Sequence, residues 1–473
     1  MRPCAKNSRD MQTHEIQPVQ INSVKPHRLL FALLCPLLCL TPLLLNFSNF
    51  QSLFWFGDEL DMILQIDTLG FWPWVKNTFA ENFVPLFKIL WGGSVFVFHG
   101  SYLAMIILLW ITHLCNTALL GRIVIASGGS LFCSALAMIL FGCSFTLVES
   151  LGWTIQWSAV LCETFFLIAL NLLINFSRSL NFSRSLVIGY ALASLASALC
   201  FSRGVLICAV LFIAPFIFLK RVAPLKQRIL LCIWPILSAC AVSLVIFFGA
   251  TGNHHQLLSI DSARLFQMIE FGVGYLSLNP LALLFRVTVA SHEAIIVFAV
   301  IKYTIFSVAL FFARRKPALQ NILITLLIFD FGNAALLGIG RYHTGLQNVM
   351  SSRYQYESLL VFAPFLGVLF EALLSRLKFS QKGVQITATC LLATCYLYLV
   401  KNWTTDIEKW SGWRGTHGRS SFFKGEKLRR NLVPPSPEIA TVLSREGKPQ
   451  WIGVPPFITQ AEAFEVIKKY NLH

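Results

Sequence analysis

"GVLICAVLFIAPFIFL" (Gly204–Leu219), "KRVAPLKQR" (Lys220–Arg228) and "ILLCIWPILSACAVSLVIFFG" (Ile229–Gly249) follow one another without a gap. The first and third pieces hold no charged residue. At about 1.5 Å per helical residue they are of the length needed to cross a hydrocarbon core of roughly 30 Å. The middle piece is basic and free of acid, the mark of a cytoplasmic turn between two spans. The same alternation recurs along the chain, which is 56% hydrophobic and only 13% charged. Soluble proteins carry about 25% charged residues. An all-α polytopic membrane protein is expected, because the short alternating strands of a β-barrel are missing from the pattern.

About eleven spans are expected, at roughly 29–46, 101–121, 129–147, 156–174, 186–201, 204–219, 229–249, 293–313, 318–338, 357–374 and 384–400. With a cytoplasmic N-terminus, the inside connections hold Arg122, then Arg178 and Arg184, then Lys220–Arg228. They continue with "RRK" (Arg314–Lys316) and "SRLKFSQK" (Ser375–Lys382). All are basic, as the positive-inside rule requires, and the opposite orientation would break the rule at each of them. This gives a cytoplasmic segment at 1–28 and a membrane domain at 29–400. A short extracytoplasmic tail occupies 401–473, in a multi-pass protein of the plasma (inner) membrane. The polar residues before the first apolar run do not resemble a cleaved signal.

The formal charge is +16, with 38 Lys+Arg against 22 Asp+Glu. In a membrane protein such a balance reflects cations kept on the cytoplasmic side and argues against a nucleic-acid partner. The 13 cysteines lie mostly in apolar runs without CxxC spacing, so they read as packing residues.

The outer face carries the long connections, at about 47–100, 250–292 and 339–356, together with the tail. The first outer loop mixes apolar, aromatic and charged residues in a way that suits interfacial helices, with Trp72, Trp74 and Trp91 at headgroup level. It opens with "FWFGDELD", which crowds Asp58, Glu59 and Asp61 beside the first span. Further on, "AENFVPLFK" sets Glu81, Asn82 and Lys88 around Pro85. These acids read either as a solvated edge or as the wall of a pocket. A second cluster, "GIGRYHTGLQNVMSSRYQYES" (Gly338–Ser358), gathers Arg341, Tyr342, His343, Arg353, Tyr354 and Tyr356. Outer arginines with tyrosines suit an anion, since guanidinium grips phosphate bidentately. Snorkelling at the interface is the alternative. Arg203 in "CFSRG" is a third outer arginine. The tail shows two helix signals, one from Ser436 to Gly447 and a capping box from Thr459 to Glu462.

These parts suit group transfer from a lipid-linked phosphate. Its leaving group is already anionic, so cations to hold the phosphate and one carboxylate to deprotonate an acceptor hydroxyl suffice. A glycosidase would instead use a pair of flanking carboxyl groups.

The long first outer loop with "FGDELD" just after the first span resembles the GT-C superfamily of integral-membrane glycosyltransferases. "ENFVPLFKILW", "HLCNTALL" and "SSRYQY" resemble the pattern of its bacterial members. The likeness covers about 29–400. It implies an inverting transfer of a hexosyl or pentosyl group from a polyprenyl-phosphate sugar to a glycan, lipid or protein acceptor of the cell envelope. Asp58 then matches the first-loop general base, with Glu59 as the competing choice. Arg341, Arg353, Tyr354, Tyr356 and Arg203 are candidates for the donor phosphate, and Asp61, Glu81, Asn82, Tyr342 and His343 for the substrate pocket. The chain departs from the family in having "DELD" in place of a clean DxD metal signature, so a divalent cation is compatible with the sequence but not required by it. It also lacks a large soluble C-terminal domain of the oligosaccharyltransferase kind. Two other classes stay open: a transporter or flippase of a lipid-linked or anionic substrate, and a polymerase that ligates lipid-linked glycans.

Overall fold

The computed structural model describes residues 35–79, 82–179, 182–220, 222–249, 261–377, 380–415, 451–452, 458–459 and 466–472. Segment 1–28, the Ser436–Gly447 signal, Glu81 and the Glu462 half of the capping box lie outside these residues.

Helix α1 (Cys35–Leu45) and the short α2 (Phe47–Gln51) lead into a first connection that is itself helical, with α3 (Asp58–Leu69), α4 (Phe71–Lys76) and α5 (Pro85–Val97). Next come α6 (Tyr102–Ala126), α7 (Leu131–Gly142), the single turn α8 (Val148–Gly152) and α9 (Trp157–Ser179). They are followed by α10 (Arg184–Cys200), α11 (Arg203–Phe218) and α12 (Leu225–Gly249). The rest comprises α13 (Ser262–Leu278), α14 (Leu281–Leu284), α15 (His292–Ala313), α16 (Pro317–Arg341), α17 (Gln355–Arg376) and α18 (Gln381–Gly415). Strand Trp451–Ile452 pairs antiparallel with Ile458–Thr459.

Among the described residues, eight helical stretches are long and apolar enough to cross a membrane: Tyr102–Ala126, Leu131–Gly152, Thr154–Arg178, Leu225–Phe248, His292–Ala313, Pro317–Thr344, Ser352–Arg376 and Gln381–Gly412. The runs expected at 186–201 and 204–219 form α10 and α11, apolar helices of 17 and 16 residues. Helix starts follow local chemistry. Ser101, Ser130, Ser183 and Ser291 cap α6, α7, α10 and α15 by accepting a backbone N–H three residues on. Pro85 and Pro317 occupy the first turns of α5 and α16, where no N–H is needed.

Small residues let the helices approach closely. A Cβ on Gly367 of α17 would stand 2.7 Å from the Cys133 carbonyl of α7, so only glycine fits there. Phe247, Phe248, Ile296, Val300 and Leu397 are exposed on the outside of the bundle, as lipid-facing positions are.

The first long connection differs from a set of helices lying on an interface. Trp72 is exposed, but Trp74 and Trp91 are fully buried in an aromatic core. Trp55 meets Trp91 edge-on at 5.8 Å and Tyr102 at 5.1 Å, and Trp74 lies 6.4 Å from Trp91. Edge-to-face pairs add about 0.5–1.5 kcal/mol each beyond burial. The Trp91 indole donates to Thr154 Oγ1 at 3.1 Å, tying the loop to the start of the Thr154–Arg178 stretch. The loop is therefore a fixed platform on one end of the bundle.

The described part of the next long connection, residues 261–291, also packs into the bundle. Helix α13 packs along α16, and Asn279 at its end receives the Lys302 ammonium on its carbonyl at 2.8 Å, partway down α15.

Candidate functional site

Gly57 holds φ at +53°, a left-handed conformation that glycine reaches without strain, and the chain turns there so that α3 begins at Asp58. Asp58, Glu59 and Asp61 occupy the first helical turn, where the positive end of the helix dipole favours carboxylates. Their environments diverge. Glu59 is fully buried. Its Oε1 accepts from the Thr154 hydroxyl at 2.6 Å, the Thr154 N–H at 3.0 Å and the Tyr102 hydroxyl at 3.1 Å. Its Oε2 accepts the Phe56 N–H at 2.9 Å. This carboxylate is a hub that joins three segments.

Asp61 is buried too, accepts from Gln65 at 2.7 Å and attracts Lys88. Lys88 is fully buried in α5, and its ammonium donates to the carbonyls of Trp74 at 2.8 Å and Asn77 at 2.9 Å. Burial lowers its pKa to about 8, with the Asp61 carboxylate acting the other way. Asp58, at the tip of the helix, is half-buried.

The second part comes from the turn between α16 and α17. Ser352–Tyr354 is a 3₁₀ turn that runs into α17, so Arg353, Tyr354 and Tyr356 spread around a helical axis instead of sharing an extended face. Glu149, in α8, organises this turn. Its Oε2 accepts the Ser351 hydroxyl at 3.0 Å and the Arg353 N–H at 3.1 Å, and its own N–H donates to Ser352 Oγ at 3.2 Å. Ser352 Oγ donates onward to the Thr146 carbonyl at 2.5 Å.

The Arg353 guanidinium stands 3.8 Å from Glu149 Oε1, an ion pair too long to be a hydrogen bond, with 34% of its side chain exposed. The Tyr354 ring lies 5.3 Å below it, and the Asp58 charge acts on it as well. Glu149 and Arg353, far apart in sequence, thus meet at one end of the bundle, with Asp58 close enough for its charge to act on Arg353. A cavity of about 340 Å³ is lined by Val148, the residue before Glu149, with Asp406, Lys409 and Trp410. Glu149 was not among the expected site residues. The signal for it was the lone acid of "TLVESLGW", on the same side as Asp58 by the same alternation of basic turns.

The other expected residues go elsewhere. Tyr356 is fully buried, its hydroxyl 3.1 Å from His113 Nδ1 and receiving Asn116 Nδ2 at 2.9 Å. Arg203 is buried, ion-paired to Glu357 and bonded to Asn333 Oδ1 at 2.7 Å. Arg341 is exposed at the end of α16, while Tyr342 and His343 line a different cavity of about 210 Å³ with Gln267 and Glu270 of α13. Asn82 forms a bridge with Phe79 beside α5. Among the described residues no group of three or more His, Cys, Asp or Glu is placed to hold a metal ion.

Comparison with known proteins gives no match to any family model, to any curated protein or to any solved structure.

Proposed function

We propose that this chain is a GT-C-like membrane glycosyltransferase, with about eleven spans in the plasma membrane and the Asp58–Arg353 end extracytoplasmic. It transfers a sugar, with inversion, from a polyprenyl-phosphate donor to an envelope acceptor. The observation that supports this reading is the Arg353 guanidinium, paired with Glu149 at 3.8 Å, within electrostatic reach of the Asp58 carboxylate. In the proposed reaction Arg353 grips the donor phosphate and Asp58 takes the acceptor proton as the hydroxyl attacks the anomeric carbon. The polyprenyl phosphate departs as an anion without needing a general acid. Glu149 holds the Arg353 turn and balances its charge until phosphate arrives. Glu59 is structural in this scheme, and Arg341, Tyr342 and His343 are left for the acceptor side.

The test is the full chain reconstituted in lipid with polyprenyl-phosphate sugars, assayed for release of polyprenyl phosphate. Arg353→Lys is expected to impair donor use, because ammonium cannot reproduce the bidentate fork. Unchanged donor affinity and turnover in that variant would remove the phosphate role.

A second reading, a transporter or flippase, draws on one specific observation. Two ion pairs, Arg203–Glu357 and Lys302–Asp330, are buried among the apolar helices. Charges within membrane segments mark transport paths in many proteins. Movement of the intact lipid-linked substrate across the bilayer, without release of polyprenyl phosphate, would favour it.

A further inference from the structure

The bundle interior holds ionisable groups that the candidate site does not use. Arg203, in the first turn of α11, pairs through Nη1 with Glu357 of α17, and its Nε donates to Asn333 Oδ1 of α16. Glu163 of α9 lies within electrostatic reach of the same guanidinium: among the described residues, Arg203 is the cation that acts on it. The Glu163 side chain is fully buried, and neither of its carboxylate oxygens accepts a hydrogen bond among the described residues. Glu357 Oε2 and Asn116 Oδ1 accept none either.

The elements packed on α9 bring little else that is charged. From α6 come His113 and Asn116, both bonded to the Tyr356 hydroxyl. From α10 come Ser197 and Cys200, and Cys162 is the neighbour on α9 itself. From α17 come Tyr356 and Glu357. Lys88 of α5 is engaged with the carbonyls of Trp74 and Asn77.

One guanidinium, bonded to Glu357, is therefore the nearby cation for a second buried carboxylate in a low-dielectric interior. Arg203 is already engaged by Glu357 and Asn333, so an ionised Glu163 would be a buried charge without a hydrogen-bonded partner, the most costly arrangement available to it. We propose that Glu163 is a membrane-embedded proton-binding site, neutral beside the Arg203–Glu357 ion pair. The proton comes from solvent and converts the carboxylate to the acid, which removes the surplus negative charge. A metal cation would need several oxygen ligands, and no group of three or more His, Cys, Asp or Glu among the described residues offers them. The proposal goes beyond the glycosyl-transfer reading and does not depend on it.

The experiment is infrared spectroscopy of the full chain in lipid nanodiscs in D₂O, reading the carbonyl stretch of a protonated carboxylic acid. At pH 7 the wild type should show this band. Glu163→Gln, which keeps shape and neutrality, should abolish it without lowering thermal stability. Glu163→Asp should shift the band, while Glu357→Asp should leave it in place. A wild-type spectrum without the band at pH 7 overturns the proposal, and this holds even if no variant folds. A band that moves with Glu357→Asp in place of Glu163→Asp also overturns it. So does a band seen only when sodium and potassium are withheld, because Glu163 would then be a cation ligand.

Discussion

Asp58 and Glu59 are adjacent in sequence and opposite in circumstance, and substitutions should separate them. Glu59→Gln puts an amide where four donors converge, from Thr154, Tyr102 and Phe56. Leaving a buried donor without its acceptor costs about 1–3 kcal/mol. This variant should lose thermal stability in detergent yet keep turnover per folded molecule. Asp58→Asn should do the reverse, keeping stability and losing a general base's contribution, about 10²–10⁴-fold in rate. If the Asn variant turns over normally, Asp58 is not the base. Lys88 gives a pH prediction. Its pKa is about 8 in the fold against an ordinary 10.5, so between these values the unfolded chain binds more protons. Stability should then rise with pH across that window, by on the order of 3 kcal/mol. Lys88→Met should flatten the rise in pH-dependent melting curves, and an equal rise in the variant would assign it to other groups. Sequence alone marked the acidic trio but could not rank it. Which of three acids is buried depends on Thr154 and Tyr102, which lie far away in the chain.

At the scale of elements, α3 is held from two sides. Its N-terminal turn is held through Glu59 by Thr154 and Tyr102, while Asp67, near its other end, receives Lys469 and the Tyr470 hydroxyl at 2.9 Å. Those hydrogen bonds lower the Asp67 pKa, the Lys469 bond foremost, although partial burial opposes them. Being depressed, this carboxylate helps docking above the ordinary carboxylate range, and the help is lost as pH falls through its lowered value. The ion pair is largely solvated and worth at most about 1 kcal/mol. Packing does more: Val466, Ile467 and Leu472 are buried, and the Tyr470 ring sits 5.9 Å from Phe96. Gly100 is the sensitive point, with φ at +78° and a prospective Cβ 2.8–3.0 Å from the backbone of residues 470–472. Gly100→Ala should release this segment, seen as faster proteolysis after Lys468 or Lys469, whereas Asp67→Asn should loosen it only slightly. Equal cleavage of Gly100→Ala and wild type would show that the contact is dispensable. This docking was illegible in sequence because it joins residues about 370 positions apart through one glycine. The burial of Trp74 and Trp91 was hidden for a similar reason: composition marks a tryptophan as amphipathic, and only the neighbouring Trp55, Phe87 and Tyr102 make it core.

At the scale of the whole molecule, the long helices were legible because a bilayer demands continuous apolar runs and leaves little choice of element. What charge patterning adds is orientation, and the two ends of the bundle differ in a way that can be tested. One end holds the Asp58–Glu149–Arg353 site and the docked 466–472 segment. It also holds the contact of Arg286 with Asp406 at 2.7 Å, and the Trp410 indole on the Gly152 carbonyl at 3.3 Å. The opposite end holds Arg314, Arg376 and the Lys316–Glu371 pair at 2.8 Å. Helix α18, at 35 residues, spans about 52 Å, well beyond a core of roughly 30 Å. Its last turns, around Asp406 and Trp410, therefore stand clear of the bilayer at the end that carries the site. The basic turns argue that this end faces away from the cytoplasm. An export-dependent reporter fused near Gly412 should be active, and one fused near Lys316 silent. The reverse pattern would put Asp58 and Arg353 in the cytoplasm, away from any extracytoplasmic acceptor, and the proposed transfer would fall with it. The infrared test of Glu163 would be untouched, since a buried carboxylate binds its proton whichever way the bundle is inserted.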